Sequence, residues 1–553
     1  MVLVIGRLWR RLRGRRDRKR WKDLSDASFS ELQDYVESEV LTGDLKDTEE
    51  KIRGAFGNSS DLTLRYVNLG ANPRVQILVA HLDGMVDVVS LTNGVIRPIL
   101  EGTLYASEHI SKEPPRRKVA YALLKQQLIH ISTVKETDSL EKALEYIGRG
   151  FAVLFVEGVS RGLACEVKGW AERDVAEPGT EATVRGPRQG FVENSRVNTS
   201  MLRRMIVSPL LWVEEMQVGA ITKTTITIAH IKGIADDGVV EEVRRRIRSI
   251  EVDSILESGY IEEYIEDAPY SPFPTILRTE RPDKVAAALL EGKVAIITDG
   301  TPFALVVPAT FTSFFVASED YYERYFTGTF MRLLRIVAFF VSLISPSIYV
   351  AITTFHQEML PTPLILSIAA QREGVPFVAV IEALFLELSF EFLREAGIRL
   401  PKVIGPAISI VGALILGEAA VRAGLVSSAL VIVVAATSMA SFISPIYSMA
   451  INVHLLRFPI LFLAGSLGLF GVIMGLSAIL IHLSSLRSFG VPYLEPLSPI
   501  VFPEWKDSLI RLPLWMMDTR PKLIAKKEFI RQDPKQKPRP PDKGLGDEAD
   551  GQQ

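Results

Sequence analysis

The sequence predicts a soluble N-terminal domain of the α+β or α/β class, built from two subdomains, followed by an all-α membrane domain with several spans and broken or re-entrant helices. Three long apolar stretches indicate the membrane half. Charged residues are absent from Ile336–Phe355 and from Ala423–Val453, and His482 is the only ionisable side chain in Phe458–Leu486. Because a helix needs about 20 consecutive apolar residues to cross the bilayer core, runs of this length predict membrane insertion.

Strand-like runs that alternate with helical stretches indicate the soluble half, between residues 25 and about 270. The predicted strands are Leu62–Val67, Val75–His81, Phe151–Val156 and Thr222–His230. Asp138 and Ser139 precede a predicted helix through Ile147, and Asp236 or Asp237 can cap a second helix, Val239–Ile250. Cys165 is the single cysteine, so no intramolecular disulfide can form, which fits a reducing compartment.

Proline-rich breaks suggest how the chain is divided. One break lies at residues 113–117, and Pro269, Pro272 and Pro274 form a stiff linker, because proline fixes φ and removes a donor. The uncharged stretch Gly300–Ser318 is a buried hairpin, an interfacial segment or a broken span. We predict, in chain order, a polybasic disordered arm (1–24), soluble subdomain 1 (25–115), soluble subdomain 2 (116–270), a Pro-rich linker and interfacial segment (271–330), a helical transmembrane domain (331–490), a juxtamembrane cytoplasmic segment (491–530) and a disordered tail (531–553).

The N-terminal arm is strongly basic, with eight Arg and two Lys against Asp17 in residues 1–22. Beside a membrane domain such an arm is attracted to anionic lipid, at about 1 kcal/mol per basic residue. The candidate lipid contacts are Arg7, Arg10, Arg11 and Arg13; the alternative is a solvated tail. Nucleic acid is not an expected partner, because no recognition fold follows.

The predicted membrane segments differ in length and in the charges that flank them. Arg332 and Arg335 precede the span Ile336–Phe355 and favour a cytoplasmic start, which is also the expected side of the soluble half. Basic residues after the last span favour the same side, so an even number of crossings is expected. Because five spans are predicted, one candidate segment is expected to lie within the membrane without crossing it. Leu364–Ala370 is too short to cross and is a candidate re-entrant segment. The remaining predicted spans are Pro376–Leu393, Val403–Val421, Val426–Val453 and Phe458–Leu483.

The span Pro376–Leu393 carries the candidate ion path, Glu382, Glu387 and Glu391. Glu387 and Glu391 are four residues apart and share a helical face, whereas Glu382 lies roughly 140° away. Carboxylates inside a membrane are costly and tend to face an aqueous cavity or a partner. The functional interpretation is a cation path or proton-coupled site, and the alternative is an amphipathic interfacial helix.

The span Val403–Val421 is rich in small residues. The candidate pore-lining or packing residues are Gly405, Ser409, Gly412, Ala413 and Gly417. Small faces let helices approach closely, so this face either packs within one subunit or lines a pore shared by an oligomer.

Prolines interrupt the membrane half and can free backbone carbonyls to bind cations or substrates. The candidate helix breaks are Pro346, Pro361, Pro363, Pro406 and Pro445.

Enzyme signals are poor, and we expect neither catalysis nor a cofactor or metal. Gly412 and Gly417 have the glycine spacing of a phosphate-binding loop, but the required Lys is missing and the segment is apolar. The seven His do not cluster at ligand spacing, and no glycine-rich dinucleotide fingerprint follows a strand.

Long strings in the chain resemble one family, the A subunits of GerA-type spore germinant receptors. The resemblance runs from roughly residue 25 to residue 500. It is carried by EVKGW (Glu166–Trp170), VRGPRQGFVEN (Val184–Asn194), TERPDKVAAALLEGKVAIITDGTPFALVVP (Thr279–Pro308), ISPSIYVAITTFHQEMLPTPLILSIAAQREGVPF (Ile344–Phe377), REAGIRLPK (Arg394–Lys402) and ISIVGALILGEAAVRAGLVSS (Ile408–Ser428).

The resemblance implies a place in the inner membrane of the endospore, with the soluble domain on the core side. It implies a permease-like B subunit and a lipoprotein C subunit as partners. It also implies a homo-oligomeric ring around a nutrient-gated, monovalent cation channel that triggers germination.

Three alternatives to a conducting subunit stay open. They are a non-conducting scaffold or signal relay, an accessory role like that of the related SpoVAF group, and a secondary transporter. In the relay hypothesis, the Arg244–Arg248 cluster is a candidate interaction surface.

Overall fold

A computed structural model describes residues 26–57, 59–69, 74–102, 116–169, 178–179, 181, 183–399, 417–533 and 536–538. Arg7, Arg10, Arg11, Arg13, Gly405, Pro406, Ser409, Gly412 and Ala413 lie outside these residues.

The first subdomain is built on a five-stranded antiparallel sheet of order β1-β2-β4-β5-β3. Its strands are β1 (Leu62–Leu69), β2 (Val75–Leu82), β3 (Val134–Thr137), β4 (Phe151–Val156) and β5 (Gly162–Glu166). Its helices are α1 (Phe29–Ser38), α2 (Leu45–Phe56), α3 (Val88–Leu91), α4 (Arg97–Glu101), α5 (Arg116–Leu123) and α6 (Leu140–Gly148). Alternate residues of β2 enter two different cores, Ile77 and Val79 on one face and Leu78 and Ala80 on the other.

The second subdomain repeats this architecture, with a five-stranded sheet of order β6-β7-β9-β10-β8. Its strands are β6 (Leu211–Val218), β7 (Thr224–Ile231), β8 (Leu277–Thr279), β9 (Val294–Thr298) and β10 (Ala304–Val307). Its helices are α7 (Ser195–Met205), α8 (Asp237–Arg248), α9 (Ser258–Ile265) and α10 (Pro282–Leu290). Both predicted helix starts are confirmed, since Ser139 accepts from the Lys142 N–H and Asp236 accepts from the Gly238 N–H. Of the two candidates for the second helix, Asp236 is the N-cap residue and Asp237 is the first residue of the helix.

The predicted subdomain boundaries at residues 115 and 270 differ from those observed. The first sheet extends to β5, so the proline-rich break near residue 115 lies inside the first subdomain. The linker expected at 271–330 contains β8, α10, β9 and β10, which complete the second sheet. The stretch Gly300–Ser318 includes β10, whose four residues are all buried, so the buried hairpin is the correct alternative. Prolines mark loops, whereas strand pairing over long sequence separations decides which sheet a segment joins.

The C-terminal half is helical. Its helices are α11 (Glu319–Tyr322), α12 (Tyr325–Phe355), α13 (Thr362–Arg372), α14 (Ala379–Arg399), α15 (Ser428–Ser441), α16 (Tyr447–Leu467), α17 (Leu469–Ser485) and α18 (Trp505–Ser508). Among the described residues, α12 and α16 are long and apolar enough to cross a membrane, and α15 and α17 are shorter apolar helices. Phe326, Phe330, Val337, Phe462 and Phe470 on their outer faces are between 57% and 70% exposed. Apolar surface of this extent suits a lipid or protein environment.

Two predicted spans correspond to three helices. The sequence predicts spans at Val426–Val453 and Phe458–Leu483, with Arg457 between them, whereas the chain forms α15, α16 and α17. Arg457 therefore lies inside α16, where a partner described below offsets its charge.

One end of the helical bundle lies against the second subdomain. Met449 near the start of α16 and Leu483 near the end of α17 pack in the same buried cluster as residues of the second sheet. At the opposite end, a Cβ built on Gly468, between α16 and α17, would lie 2.9 Å from Phe355 Cβ at the end of α12. Helices α12 and α16 therefore run away from the soluble domain, and α17 returns to it.

The residues after α17 pack back onto the second subdomain, starting with the hairpin of β11 (Arg487–Ser488) and β12 (Val491–Pro492). Ser488 Oγ donates to the Thr275 carbonyl at 2.7 Å and accepts from the Ala309 N–H at 3.0 Å. This C-terminal segment (residues 486–533) thus lies on the same side of the bundle as the soluble domain.

The candidate site inside the helical bundle

Helix α14 brings the three predicted carboxylates into the bundle, where it packs against α12, α15 and α16. Glu382 and Glu387 are each 1% exposed, and Glu391 is partly buried. From Glu382 to Glu391 the helix rises by roughly 13 Å, at 1.5 Å per residue. The carboxylates are therefore spread along much of the bundle rather than gathered at one point.

Glu387 is paired with Arg457 of α16, which is itself 1% exposed. The Arg457 Nη1 donates to Glu387 Oε2, and its Nη2 donates to Ser342 Oγ at 3.1 Å. A buried charge is tolerated when it is paired and hydrogen-bonded, and Arg457 satisfies both conditions. Both side chains of this pair are 2% exposed.

Pro346 explains the remaining contact of Arg457. A proline inside a helix has no N–H, so the carbonyl four residues earlier loses its helical partner. In α12 that carbonyl belongs to Ser342, and Arg457 Nε donates to it at 2.8 Å. The sequence predicts that prolines free backbone carbonyls for cations, and at Pro346 the cation that occupies the carbonyl is a guanidinium of the same chain.

Glu391 lies one helical turn beyond Glu387 and faces His454, whose Nδ1 is 2.9 Å from Glu391 Oε1. Arg394 of the same helix also pairs with Glu391. His454 and Arg457 are three residues apart on α16, so Glu387 and Glu391 meet the same face of that helix, in keeping with their predicted shared face.

Glu382 meets a different set of groups, in keeping with its predicted angular separation. Its Oε2 accepts from the Ser427 N–H at 3.1 Å, and its Oε1 lies 3.4 Å from Arg372 Nη2 at the end of α13. Ser427 Oγ is in turn 3.3 Å from Tyr349 Oη of α12. This end of α14 therefore ties together α12, α13 and the start of α15.

These contacts form a ladder of three carboxylates on α14, each facing a nitrogen group of another segment. Glu382 Oε1 and Glu387 Oε1 nevertheless lack a hydrogen-bond partner among the described residues. The ladder thus neutralises the charge of the carboxylates while leaving acceptor oxygens available within the bundle.

The other predicted residues are placed as follows. Pro361 is the N-cap residue of α13, Pro363 lies in its first turn, and Pro445 precedes α16. Gly417 lies near Val431 of α15, where an added Cβ would make an ordinary 3.7 Å contact.

Sequence reasoning missed the cationic half of the ladder, Arg372, His454 and Arg457, as well as Pro459 inside α16. A signal was present for Arg457, because a single arginine between two long apolar runs is a possible buried counter-ion for an acidic span.

A second ionic cluster anchors the start of α12 to the soluble domain. Arg332 is fully buried and pairs with Asp320, which also pairs with Arg335 at 2.7 Å. Asp507 of the C-terminal segment accepts from Tyr321 Oη at 2.7 Å and lies 3.5 Å from Arg332 Nη1. Arg332 and Arg335, predicted as flanking charges, therefore join three segments.

The Arg244–Arg248 cluster is engaged within the chain. Arg244 pairs with Glu214 at 2.8 Å, Arg245 with Glu242 at 2.6 Å, and Arg246 with Asp267 at 2.7 Å. These pairs leave less free positive charge for a partner than the sequence suggests.

Comparison with known proteins identifies relatives along most of the chain. Residues 50–523 match the family model described as Bacillus/Clostridium GerA spore germination protein. Spore germination protein KA of Bacillus subtilis (strain 168) is 44% identical over 503 residues, covering 91% of this chain and 90% of that protein. The uncharacterized membrane protein YfkQ of the same organism is 42% identical, covering 92% and 97%. The crystal structure of the N-terminal domain of the A subunit of the Bacillus megaterium spore germinant receptor GerK3 is 33% identical, with a TM-score of 0.38, covering 49% of this chain and 98% of that one.

Proposed function

Because the chain belongs to the Bacillus/Clostridium GerA family of spore germination proteins, we propose that it is the A subunit of a spore germinant receptor and conducts monovalent cations as a homo-oligomer. Conduction would begin when a partner subunit binds nutrient. The partners are a permease-like B subunit and a lipoprotein C subunit. The complex would sit in the inner spore membrane, with the soluble domain on the core side.

The observation that carries the conduction proposal is the ladder of Glu382, Glu387 and Glu391. Ionisable groups inside a membrane domain commonly mark ion pathways, and two of these carboxylates keep an unused acceptor oxygen. A cation could therefore be coordinated along α14 by carboxylates that the fold already buries.

The ladder also supplies a closed state. With Arg457 against Glu387, the carboxylate charge is offset by a fixed guanidinium, so a mobile cation gains little from entering. Opening would require α14 and α16 to separate by enough to break this contact. Nutrient binding that moves either helix would then change the affinity of the bundle for cations.

The test is cation flux through the full-length protein, purified and reconstituted in liposomes with and without co-purified partner subunits. We expect Glu387→Gln to change K⁺ flux or the preference between K⁺ and Na⁺. The matched control is Glu395→Gln, on the same helix, because the Glu395 side chain is 61% exposed and pairs with Arg399 in the next turn. Glu395→Gln should leave flux unchanged.

Each outcome assigns the role. Altered flux for Glu387→Gln alone supports conduction along α14. Equal flux in both variants, with oligomeric state and folding confirmed, removes Glu387 from the pathway.

A signal relay is the second candidate, and a specific observation favours it: all three ladder carboxylates are already paired within the subunit. In that case the ladder holds the bundle together and another subunit conducts. Flux that appears only with the partner subunits, and that Glu387→Gln leaves unchanged in a correctly folded protein, would favour the relay.

A further inference from the structure

A cavity of about 290 Å³ lies where α10, the segment leading to α12 and the C-terminal segment meet. This volume is near the lower end of small-molecule sites, which begin at roughly 300 Å³. It is separate from the ladder, and its chemistry does not depend on the conduction proposal. Leu277, Ala288, Val316, Pro496, Leu514 and Ile524 supply its apolar wall.

Glu495 is the polar group of this cavity that the fold leaves unsatisfied. Its backbone is fixed, because its N–H donates to the Pro492 carbonyl at 3.1 Å and its carbonyl accepts from Thr312 Oγ1 at 3.3 Å. The residue is 2% exposed, yet within the described part of the chain neither carboxyl oxygen has a well-aligned hydrogen-bond donor. A buried acceptor without a donor is costly, so this carboxyl is suited to a donor supplied by a ligand.

Most other charged groups of the cavity are already engaged. Asp283 pairs with Arg281 at 2.8 Å, Lys284 with Glu181 at 3.0 Å, and Asp507 accepts from Tyr321. Their partners satisfy these groups and leave them little capacity to bind a ligand.

Glu504 is the carboxyl group that affects the protonation of Glu495. It lies close enough to Glu495 for the two carboxyls to share a proton, and it accepts from the Lys522 N–H at 2.9 Å. Burial and the nearby Glu504 raise the pKa of Glu495 to about 8, while Lys293 and the backbone N–H of Leu523 oppose the rise. Two facing carboxyls hold one proton or one cation between them.

We propose that this cavity binds a small organic ammonium compound, whose N–H groups donate to Glu495 and Glu504 and whose hydrocarbon body lies against the apolar wall. An ammonium group supplies three donors and a positive charge, which this carboxyl pair lacks. A bare metal ion fits less well, since the described residues hold no group of three or more Asp, Glu, His or Cys that could bind a metal.

The test is isothermal titration calorimetry on the full-length protein in detergent, with n-butylammonium chloride as the probe. We expect saturable binding that releases about one proton per ligand near pH 7, because Glu495 is then protonated and the ligand amine, like that of lysine, stays charged. Proton release is measured by repeating the titration in buffers of different ionisation enthalpy.

Tetramethylammonium is the ligand control, because it carries the same charge and has no N–H donor. It should bind far more weakly than butylammonium. Equal binding of the two ions would overturn the hydrogen-bonding assignment. Saturable binding of K⁺ or Ca²⁺ that depends on Glu495 would overturn the ligand class and identify a metal site.

Glu495→Gln should weaken butylammonium binding about ten- to a hundred-fold, the effect of losing one charged hydrogen bond, and abolish proton release. The matched control is Glu358→Gln, at an exposed position outside the cavity, which should change neither. Ala288→Leu keeps both carboxyls but fills part of the cavity, so it should weaken butylammonium binding more than methylammonium binding. Thermal unfolding confirms that each variant folds, and no saturable binding by folded wild-type protein would refute the proposal.

Discussion

Replacing Asp61 with alanine should loosen the junction between the two soluble subdomains more than any exposed substitution there. Asp61 precedes β1 in the first subdomain, and Arg203 belongs to α7 in the second. The two side chains are each 1% exposed and form a bidentate pair, with Nε–Oδ2 at 2.8 Å and Nη2–Oδ1 at 2.9 Å. Arg203 Nη1 also donates to the Leu211 carbonyl at 2.6 Å.

The magnitude follows from the charge that is left behind. Asp61→Ala removes the acceptor of two guanidinium donors and leaves Arg203 charged and buried, with only the Leu211 carbonyl to bind. Breaking a buried ion pair by removing one partner costs about 3–5 kcal/mol. If the interface opens as a unit, this loss speeds amide exchange by roughly two to four orders of magnitude.

The assay is hydrogen exchange with mass spectrometry on the full-length protein. The reporters are amides that cross the junction, the Ser60 N–H bound to the Val213 carbonyl at 2.9 Å and the Val213 N–H bound to Ser59 Oγ at 3.1 Å. Both should lose protection in Asp61→Ala, while amides inside α16 keep theirs.

Asp83→Ala is the matched control, since Asp83 crosses the same junction to Arg196 at 3.7 Å but its side chain is 46% exposed. An exposed pair contributes about 0–1 kcal/mol, so exchange should change little. If Asp61→Ala accelerates exchange no more than Asp83→Ala, the buried pair does not hold the subdomains together. The double variant Asp61→Leu/Arg203→Met should recover much of the loss, because an apolar pair leaves no buried charge.

Two further predictions concern pH and backbone strain. Because the folded pKa of Glu495 is raised to about 8 from 4.5, the folded state holds more protons between these values, so the free energy of unfolding should fall by a few kcal/mol as pH rises through this window. Thermal unfolding across pH should show this slope in wild-type protein and a shallower one in Glu495→Gln; equal slopes would contradict the assignment. Gly468→Ala places a Cβ 2.8 Å from His356 Cε1 at a φ of +63°, and we expect a loss of about 1 kcal/mol or more. Thermal unfolding measures it, and an unchanged midpoint would show that the α16–α17 turn can relax.

Local features of the fold could be predicted from the sequence. Val75–His81 and Phe151–Val156 correspond to β2 and β4 within a residue, because their apolar runs end at turn-forming residues. Sheet membership could not be predicted, because β8 joins the second sheet through β10, whose register pairs Leu277 with Val306. No local pattern records a pairing over that separation.

The sequence indicates the carboxylates of the candidate site but not the groups that face them. Intramembrane carboxylates are visible as charges in an apolar run, so Glu382, Glu387 and Glu391 could be identified. Their partners could not, because Arg457 is 70 positions from Glu387 and interrupts an otherwise uncharged stretch. An arginine in that position suggests the end of a span, and only its contact with Glu387 and with the carbonyl freed by Pro346 explains how α16 continues through it.

The return of the C-terminal segment onto the second subdomain makes the first and last helices of the bundle mechanically dependent on each other. Arg332 at the start of α12 pairs with Asp320 of α11, and Tyr322 of α11 donates to Asp283 of the second subdomain. Ser488, just beyond α17, donates to the Thr275 carbonyl of the same soluble block. A rotation of that block would therefore displace α12 and α17 together, while the turn at Gly468 stays at the far end. A small tilt of the soluble domain would thus act on the bundle as a lever with two attachment points, and cutting the chain after α17 would release one of them.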